Sequence, residues 1–494
     1  MCQALHKKSS LALAALLLGL SACADLSIPA LDLQLPDAFQ QPLPAAPDAP
    51  KADLQHWWQS FHDPMLESII TRAQAENLSL QQATQRVIAA RALITPAESA
   101  LYPQVSITGG ASFSRLLKGE GIGGGFSSGG SGAASPSASL SGISIDKTTG
   151  SYQGGFDSSW ELPFFGRGTA SVDAAKASLG TAEANAQAAR VSLLSEVART
   201  YTELRAAQQK QLILEKMIAA REQNTSLVER KRDSGLSNDS DLAQARTALE
   251  QTRALLPTQQ QLVVQKLQRL AVLCGQAAPD AEWKTPAPLP AAPVVAFDAV
   301  PADLLRARPE IQVAEQTILQ RAANAKLAAA DLYPQLRLTG SLSANGTFIG
   351  QSLGGDTVSL TGGPNISIPL LDWGSRQATL QARKAEWTEA SLAYKEAVLQ
   401  GIEEAENALA TADLSRKQAA SLKAASVSAE KSLELVDLRY QQGLTDQLDR
   451  LTVEGTMLQT QMDSVDAQSA EITGLIALYK SFGGAQLAPV ASEQ

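Results

Sequence analysis

The pattern of this chain is written twice. Leu101-Tyr102-Pro103-Gln104 recurs as Leu332-Tyr333-Pro334-Gln335. Gly166, Gly235-Leu236 and Asp241 recur, at one common spacing, as Gly374, Gly443-Leu444 and Asp449. The Leu-Tyr-Pro-Gln pair stands further apart than the others. The first copy therefore carries extra residues between that motif and Gly166, and the Gly/Ser-rich stretch from Gly119 to Gly142 is the obvious insertion. A long period repeated twice points to a tandem fold rather than a solenoid of short repeats. It also replaces the three compact domains that 494 residues would otherwise suggest at ~150 residues each.

Proline divides the copies. Pro29, Pro36, Pro42, Pro44, Pro47 and Pro50 crowd one segment, which reads as an extended tether, and Pro286, Pro288, Pro290, Pro293 and Pro301 crowd the junction between the repeats. No proline lies between Pro163 and Pro257, or between Pro369 and Pro489. These Ala/Gln/Leu-rich stretches predict long helices over about 167–234, 238–274 (with Pro257 inside it), 375–442 and 446–482. As one helix, Thr169 to Ser234 would run ~100 Å at 1.5 Å per residue. Val172, Ala175, Leu179, Ala182, Ala186, Ala189 and Leu193 form one coiled-coil-like seam, and Ala174, Ala177, Ala184, Ala188, Val191 and Ala198 a second, so each long helix expects neighbours on two sides. Aromatics at only 5% are low for a chain meant to fill several compact cores.

Each copy also carries two runs of period two. Val105, Ile107, Ala111 and Phe113 alternate with Ser106, Thr108, Gly110 and Ser112, and Tyr152, Phe156 and Trp160 alternate with Gln153, Asp157 and Glu161. In the second copy Leu336, Leu338 and Leu342 alternate with Arg337, Thr339 and Ser343, and Val358, Leu360 and Ile366 with Ser359, Thr361 and Asn365. These predict strands over about 104–115, 151–163, 335–349 and 356–371, with the pattern of transmembrane β-strands. Four strands cannot close a barrel in lipid, where open edges are not tolerated. Two chains would supply eight strands and three would supply twelve.

The N-terminus is an address. Lys7 and Lys8 precede the apolar run Leu11 to Leu20, which is too short to span a bilayer and has the form of a secretory signal. It ends in Leu20-Ser21-Ala22-Cys23, which resembles a bacterial lipobox with Cys23 acylated as the first mature residue. Ala24, where an inner-membrane lipoprotein would carry Asp, favours the outer membrane. Cys2 leaves with the leader, and Cys274, alone in the apolar run Leu270 to Cys274, reads as a buried thiol. The expected organisation is a leader at 1–22, a lipid-anchored Pro-rich tether at 23–63, repeats at 64–283 and 302–482 joined by a linker at 284–301, and a tail at 483–494.

Enzyme chemistry finds no footing. Gly125-Phe126-Ser127-Ser128-Gly129 and Gly119-Glu120-Gly121-Ile122-Gly123-Gly124 mimic a nucleophile elbow and a dinucleotide loop, but both lie in the Gly/Ser insertion without the strand and helix those motifs need. His56 and His62 are the only mature histidines, so no metal cluster or cofactor site is expected. A net charge of −9 argues against nucleic acid.

Several segments together resemble one family. Trp58, Phe61, Asp63-Pro64, Leu66 and Asn77, with Arg86 and Arg91, look like its opening helices, and Trp160-Glu161-Leu162-Pro163-Phe164-Phe165-Gly166-Arg167 like its strand-to-helix motif. Arg308-Pro309-Glu310-Ile311 with Ala314-Glu315, and Arg439-Tyr440 with Gly443-Leu444, match its second repeat. The chain is thus similar to the TolC-like outer-membrane factors, in the lipoprotein branch serving resistance-nodulation-division pumps. The resemblance implies a mainly helical homotrimer with membrane β: a twelve-stranded barrel continuous with a tunnel of twelve helices and a mixed equatorial belt. It implies passive conduction of small molecules, with a periplasmic adaptor and an inner-membrane pump as partners and no cofactor beyond the lipid on Cys23. It places adaptor contact at the turns carrying Gly235, Leu236, Asp241, Gly443 and Leu444, and a constriction at Leu448 with Asp446, Asp449 and Thr452. Thr452 stands where similar members often carry Asp. The competing expectations are a duct for type I protein secretion, a periplasmic adaptor lipoprotein and a non-conducting coiled-coil scaffold.

Overall fold

The computed structural model describes residues 39–41, 53–115, 148–293, 307–349 and 352–484. The leader, Cys23, most of the tether and the Gly/Ser stretch lie outside them. The described residues fall into two units, one built from Ala92–Ala175 and Arg321–Ala385, the other from Ile28–Arg91, Lys176–Gln320 and Glu386–Gln494.

The first unit holds an antiparallel four-stranded sheet in the order β1 (Gln104–Arg115), β2 (Thr148–Glu161), β3 (Gln335–Ile349) and β4 (Ser352–Ser367). The two Leu-Tyr-Pro-Gln motifs deliver the chain into β1 and β3, each of which begins at the residue after proline. Register then sorts the side chains. Ile107, Phe156, Leu342 and Leu360 stand in one row across all four strands, and Ser106, Asp157, Ser341 and Thr361 in the next. Because side chains alternate between faces, one face of the sheet is apolar and the other is polar. The apolar row is 43–80% exposed, so the described chain leaves that face uncovered. On the polar face hydroxyls pair across strands: Ser112 with Ser151 at 2.7 Å, Ser341 with Thr361 at 2.7 Å and Ser343 with Ser359 at 2.8 Å. A bulge between Asn345 and Thr347 leaves Gly346 beneath the Tyr152 ring, which a Cβ there would meet at 2.2 Å.

β2 and β4 begin and end earlier than the expected 151–163 and 356–371. β2 stops short of Pro163, which has no N–H to give a ladder, whereas β4, an edge strand, takes in Pro364 opposite Leu338 and stops short of Pro369. Upstream, pairing of Thr148 with Arg115 and of Ser352 with Ile349 extends each strand to the full length of its neighbour. Apolar alternation alone does not reveal either limit.

Among the described residues the α-helices are α1 (Pro64–Glu76), α2 (Leu78–Ala92), α3 (Ile94–Ser99), α4 (Arg167–Asp233), α5 (Asp239–Leu273), α6 (Ala281–Lys284), α7 (Pro309–Ala330), α8 (Ser375–Gln441) and α9 (Gln447–Ser481). α4 and α8 both have 67 residues, and α5 and α9 both have 35, so the duplication holds to the residue. Among the seam residues, the seven-residue series Ala177, Ala184, Val191 and Ala198 is buried.

The second unit contains a true core, contrary to the expectation drawn from few aromatics. Trp57, Trp58 and Phe61, α1, and parts of α4, α5, α8 and α9 meet in one buried cluster. Trp57 stacks on Tyr479 at 5.2 Å between ring centroids. Asp63 caps α1 by accepting from the N–H groups of Met65 and Leu66, and its other oxygen accepts from the Tyr201 hydroxyl at 2.7 Å. Tyr201, Trp283 and Phe482 join these aromatics in the same cluster. Cys274 is free and buried there, and burial pushes its thiol up to about 11, despite the opposing charge of Arg72.

Candidate functional site

The two helical hairpins of the second unit turn by the same device. α4 ends in a Schellman cap: Gly235 takes φ +74°, its N–H donates to the Arg232 carbonyl at 2.8 Å, and the Leu236 N–H donates to Lys231 at 2.8 Å. Asn238 then caps α5 by accepting from the Asp241 N–H at 2.8 Å, while the Ser237 hydroxyl donates to the Asp241 carboxylate at 2.8 Å. After α8, Gly443 takes φ +72° and the Leu444 N–H donates to the Arg439 carbonyl at 2.9 Å. Asp446 accepts from the Asp449 N–H at 2.8 Å, and the Thr445 hydroxyl donates to the Asp449 carboxylate at 2.8 Å. In each turn a capping side chain, Asn238 or Asp446, satisfies one free donor of the new helix, and an acid three residues on, Asp241 or Asp449, sets a negative charge at its positive end.

This fixes what each expected residue does in the described chain. Gly235 and Gly443 supply the left-handed conformation that lets each turn close. Asp446 is a capping group, as Asn238 is in the first turn, and the Asp241 and Asp449 carboxylates each accept from the hydroxyl of the residue before the cap. The Thr452 hydroxyl is spent on the Leu448 carbonyl of its own helix at 2.8 Å. Leu236, Leu444 and Leu448 are exposed, Leu236 to 79% and Leu448 to 56%. The turns thus present bare leucines on rigidly capped ends.

Behind the second turn lies a cluster that sequence reasoning missed. Arg450 donates to Asp437 at 2.6 Å and to Glu454 at 3.1 Å. Glu454, 2% exposed, also accepts from the Arg221 Nε at 3.0 Å. Arg221 in turn donates to the Ala248 carbonyl at 2.7 Å and the Thr252 hydroxyl at 2.5 Å. Four groups on α8, α9, α4 and α5 are so joined through one buried carboxylate. The Lys231 ammonium sits 4.4 Å from the Tyr440 ring centroid, a second tie between the hairpins. The spacing of Arg450 and Glu454 is the one local signal, and it reads as an ordinary helix-surface pair.

Among the described residues no group of His, Cys, Asp and Glu could hold a metal ion, and no helix is long and apolar enough to cross a membrane. The model of the outer membrane efflux protein family matches residues 69–276 and 300–484. The chain belongs to the outer membrane efflux protein family. Two relatives cover most of it. Nodulation protein T of Rhizobium leguminosarum bv. trifolii is 27% identical over 411 residues, 82% of each chain. The pyoverdine export outer membrane protein OpmQ of Pseudomonas aeruginosa is 28% identical over 489 residues, 97% of each chain. Among solved structures, the open state of the MtrE outer membrane channel of Neisseria gonorrhoeae superposes with a TM-score of 0.75 at 25% identity, covering 92% of this chain and 96% of that one.

The efflux protein is an outer-membrane exit duct with the TolC-like fold, reaching into the periplasm, and it is not an enzyme. The periplasmic-adaptor and inert-scaffold readings are thereby overturned.

Proposed function

We propose that three copies of the efflux protein close a twelve-stranded barrel, continuous with a twelve-helix tunnel and a mixed equatorial belt, that passively conducts small molecules. The observation that carries this is the sheet of β1 to β4. One face is apolar and bare, the other is polar, and the edges of β1 and β4 do not pair with each other. A bare apolar face suits lipid, a polar face suits a water-filled lumen, and unpaired edges require further copies. Export of pyoverdine by the relative OpmQ supports a small-molecule cargo over protein secretion.

The energy comes from an inner-membrane pump of the resistance-nodulation-division class, coupled through a periplasmic adaptor. The adaptor meets the turns at Gly235, Leu236, Asp241, Gly443 and Leu444. The constriction is formed around Leu448, with Asp446 and Asp449 supplying charge and Thr452 one turn further on. Residues 1–22 are the leader, Cys23 carries the lipid, 23–63 form the tether, and the repeats 64–283 and 302–482 are joined by 284–301 and followed by the tail 483–494.

The test is purification of the full chain from outer membranes in detergent, followed by planar-bilayer recording. A heat-labile trimer with discrete conductance steps is expected, and a monomer without channel activity would sink the reading. Metabolic labelling with palmitate is expected to mark the wild-type chain and to vanish in Cys23→Ser, leaving the barrel able to form.

A further inference from the structure

We propose that Asp157 sets the ion selectivity of the strand-built pore. This rests on the trimeric duct reading and extends it to the charge preference of the lumen. Among strand side chains that the structure describes, the charged ones are Asp157, Glu161 and Arg337. Glu161 is offset by Arg337 at 3.4 Å and by Arg167 at 3.7 Å, and Arg167 also meets Asp331 at 2.8 Å, so this group of four is neutral as a whole.

Asp157 is different. It lies in the polar row between Ser106 and Ser341, in a groove of about 540 Å³ whose other lining groups are uncharged. Its partner is the Thr108 hydroxyl, which donates to Oδ2 at 3.0 Å, and no described cation stands within ion-pair distance. Aspartate is disfavoured in strands, and nothing in the packing of the sheet requires this one. The wall around it is hydroxyl and glycine, with the hydroxyls paired to one another across strands. Such a wall offers a passing solute neither apolar adhesion nor fixed charge, except at this row.

Threefold closure puts three Asp157 carboxylates at one height. Twelve strands about 4.8 Å apart and tilted by about 40° give a barrel radius of ~12 Å. Each carboxylate then stands ~10 Å from the axis. In water the three together enrich monovalent cations on the axis about three- to fivefold at ~0.01 M salt, where the screening length is ~30 Å, and deplete anions by as much. At ~1 M salt, with a screening length of ~3 Å, the effect disappears. The preference is thus for cationic over anionic solutes, and it depends on ionic strength.

The experiment is the K⁺/Cl⁻ permeability ratio of full-length trimers in planar bilayers, from reversal potentials in KCl gradients centred near 0.01 M and near 1 M. Asp157→Asn keeps the shape and can still accept from Thr108. Compared in chains whose constriction charge is removed by Asp446→Asn with Asp449→Asn, it is expected to lower the low-salt ratio about tenfold and leave the high-salt ratio alone. In the same chains Asp157→Lys is expected to turn the low-salt preference toward chloride. A conducting Asp157→Asn trimer of those chains with an unchanged ratio at low salt overturns the inference while leaving the duct intact. Wild-type protein that forms no conducting trimer overturns the duct reading, and this inference with it.

Discussion

Glu454→Ala is expected to raise the single-channel conductance of the reconstituted protein. Glu454 is buried between the Arg221 and Arg450 guanidinium groups, so its removal leaves Arg221, itself 7% exposed, without a carboxylate. Deleting one member of a buried pair costs about 3–5 kcal/mol, most of it the penalty of the stranded charge. The cost falls on the arrangement in which α4, α5, α8 and α9 are held together behind the turns. A shift of about 3 kcal/mol changes the ratio of two tip conformations by more than a hundredfold. Arg221→Ala is expected to act in the same direction. The double variant Glu454→Met with Arg221→Met replaces both charges by apolar groups and is expected to recover much of the loss. Asp437→Ala touches a partly exposed pair and is expected to change little, at most about 1 kcal/mol. Leu448→Ala with Asp449→Ala removes a bare leucine and the acceptor of the Thr445 hydroxyl, leaves the Asp446 cap in place, and is expected to raise conductance less. Trimers of Glu454→Ala that conduct as wild type would show that the buried cluster does not restrain the tips.

The contrast between Glu454 and Asp449 shows what a sequence discloses. The turn at Asp449 was legible because it is local and written twice: Gly443, Leu444 and Asp449 repeat the spacing of Gly235, Leu236 and Asp241. The long helices were legible for a related reason, since the scarcity of proline, with Pro257 inside α5 alone, and the seven-residue series Ala177 to Ala198 need no knowledge of the partner. The strands announced themselves by period two, because one face is apolar along the whole length. Their ends did not, since the length of β4 is decided by what β3 offers it to pair with. Glu454 was hidden because Arg221 lies 233 residues away, and each reads alone as a solvated helix residue. The core was hidden in the same way. Trp57, Tyr201, Trp283 and Tyr479, far apart in the chain, meet in one place, which composition averages away.

Leu360→Lys is expected to abolish outer-membrane assembly, while Thr361→Lys, one residue on, is tolerated. Leu360 lies at the middle of β4, 80% exposed, in the row completed by Ile107, Phe156 and Leu342. If that face met water, a lysine there would be among the mildest of changes, within about 0.5 kcal/mol, as surface substitutions usually are. If it meets hydrocarbon, lysine near the midplane costs about 2–4 kcal/mol per copy, and about 6–12 kcal/mol over three copies. Thr361 lies in the polar row, where a lysine would stand in the water of the lumen beside Ser341. The measurement is the yield of heat-labile trimer in fractionated outer membranes for the two variants expressed at equal levels. Neighbouring residues of one strand then report opposite solvents, because the strand turns alternate side chains through half a revolution. Equal yields would mean that the apolar face is covered by protein rather than lipid, and the barrel would have to be abandoned whatever the family resemblance. A loss confined to Leu360→Lys could not arise from strand propensity or from charge as such, since both variants add the same residue to the same strand. It would come from the medium that each face touches.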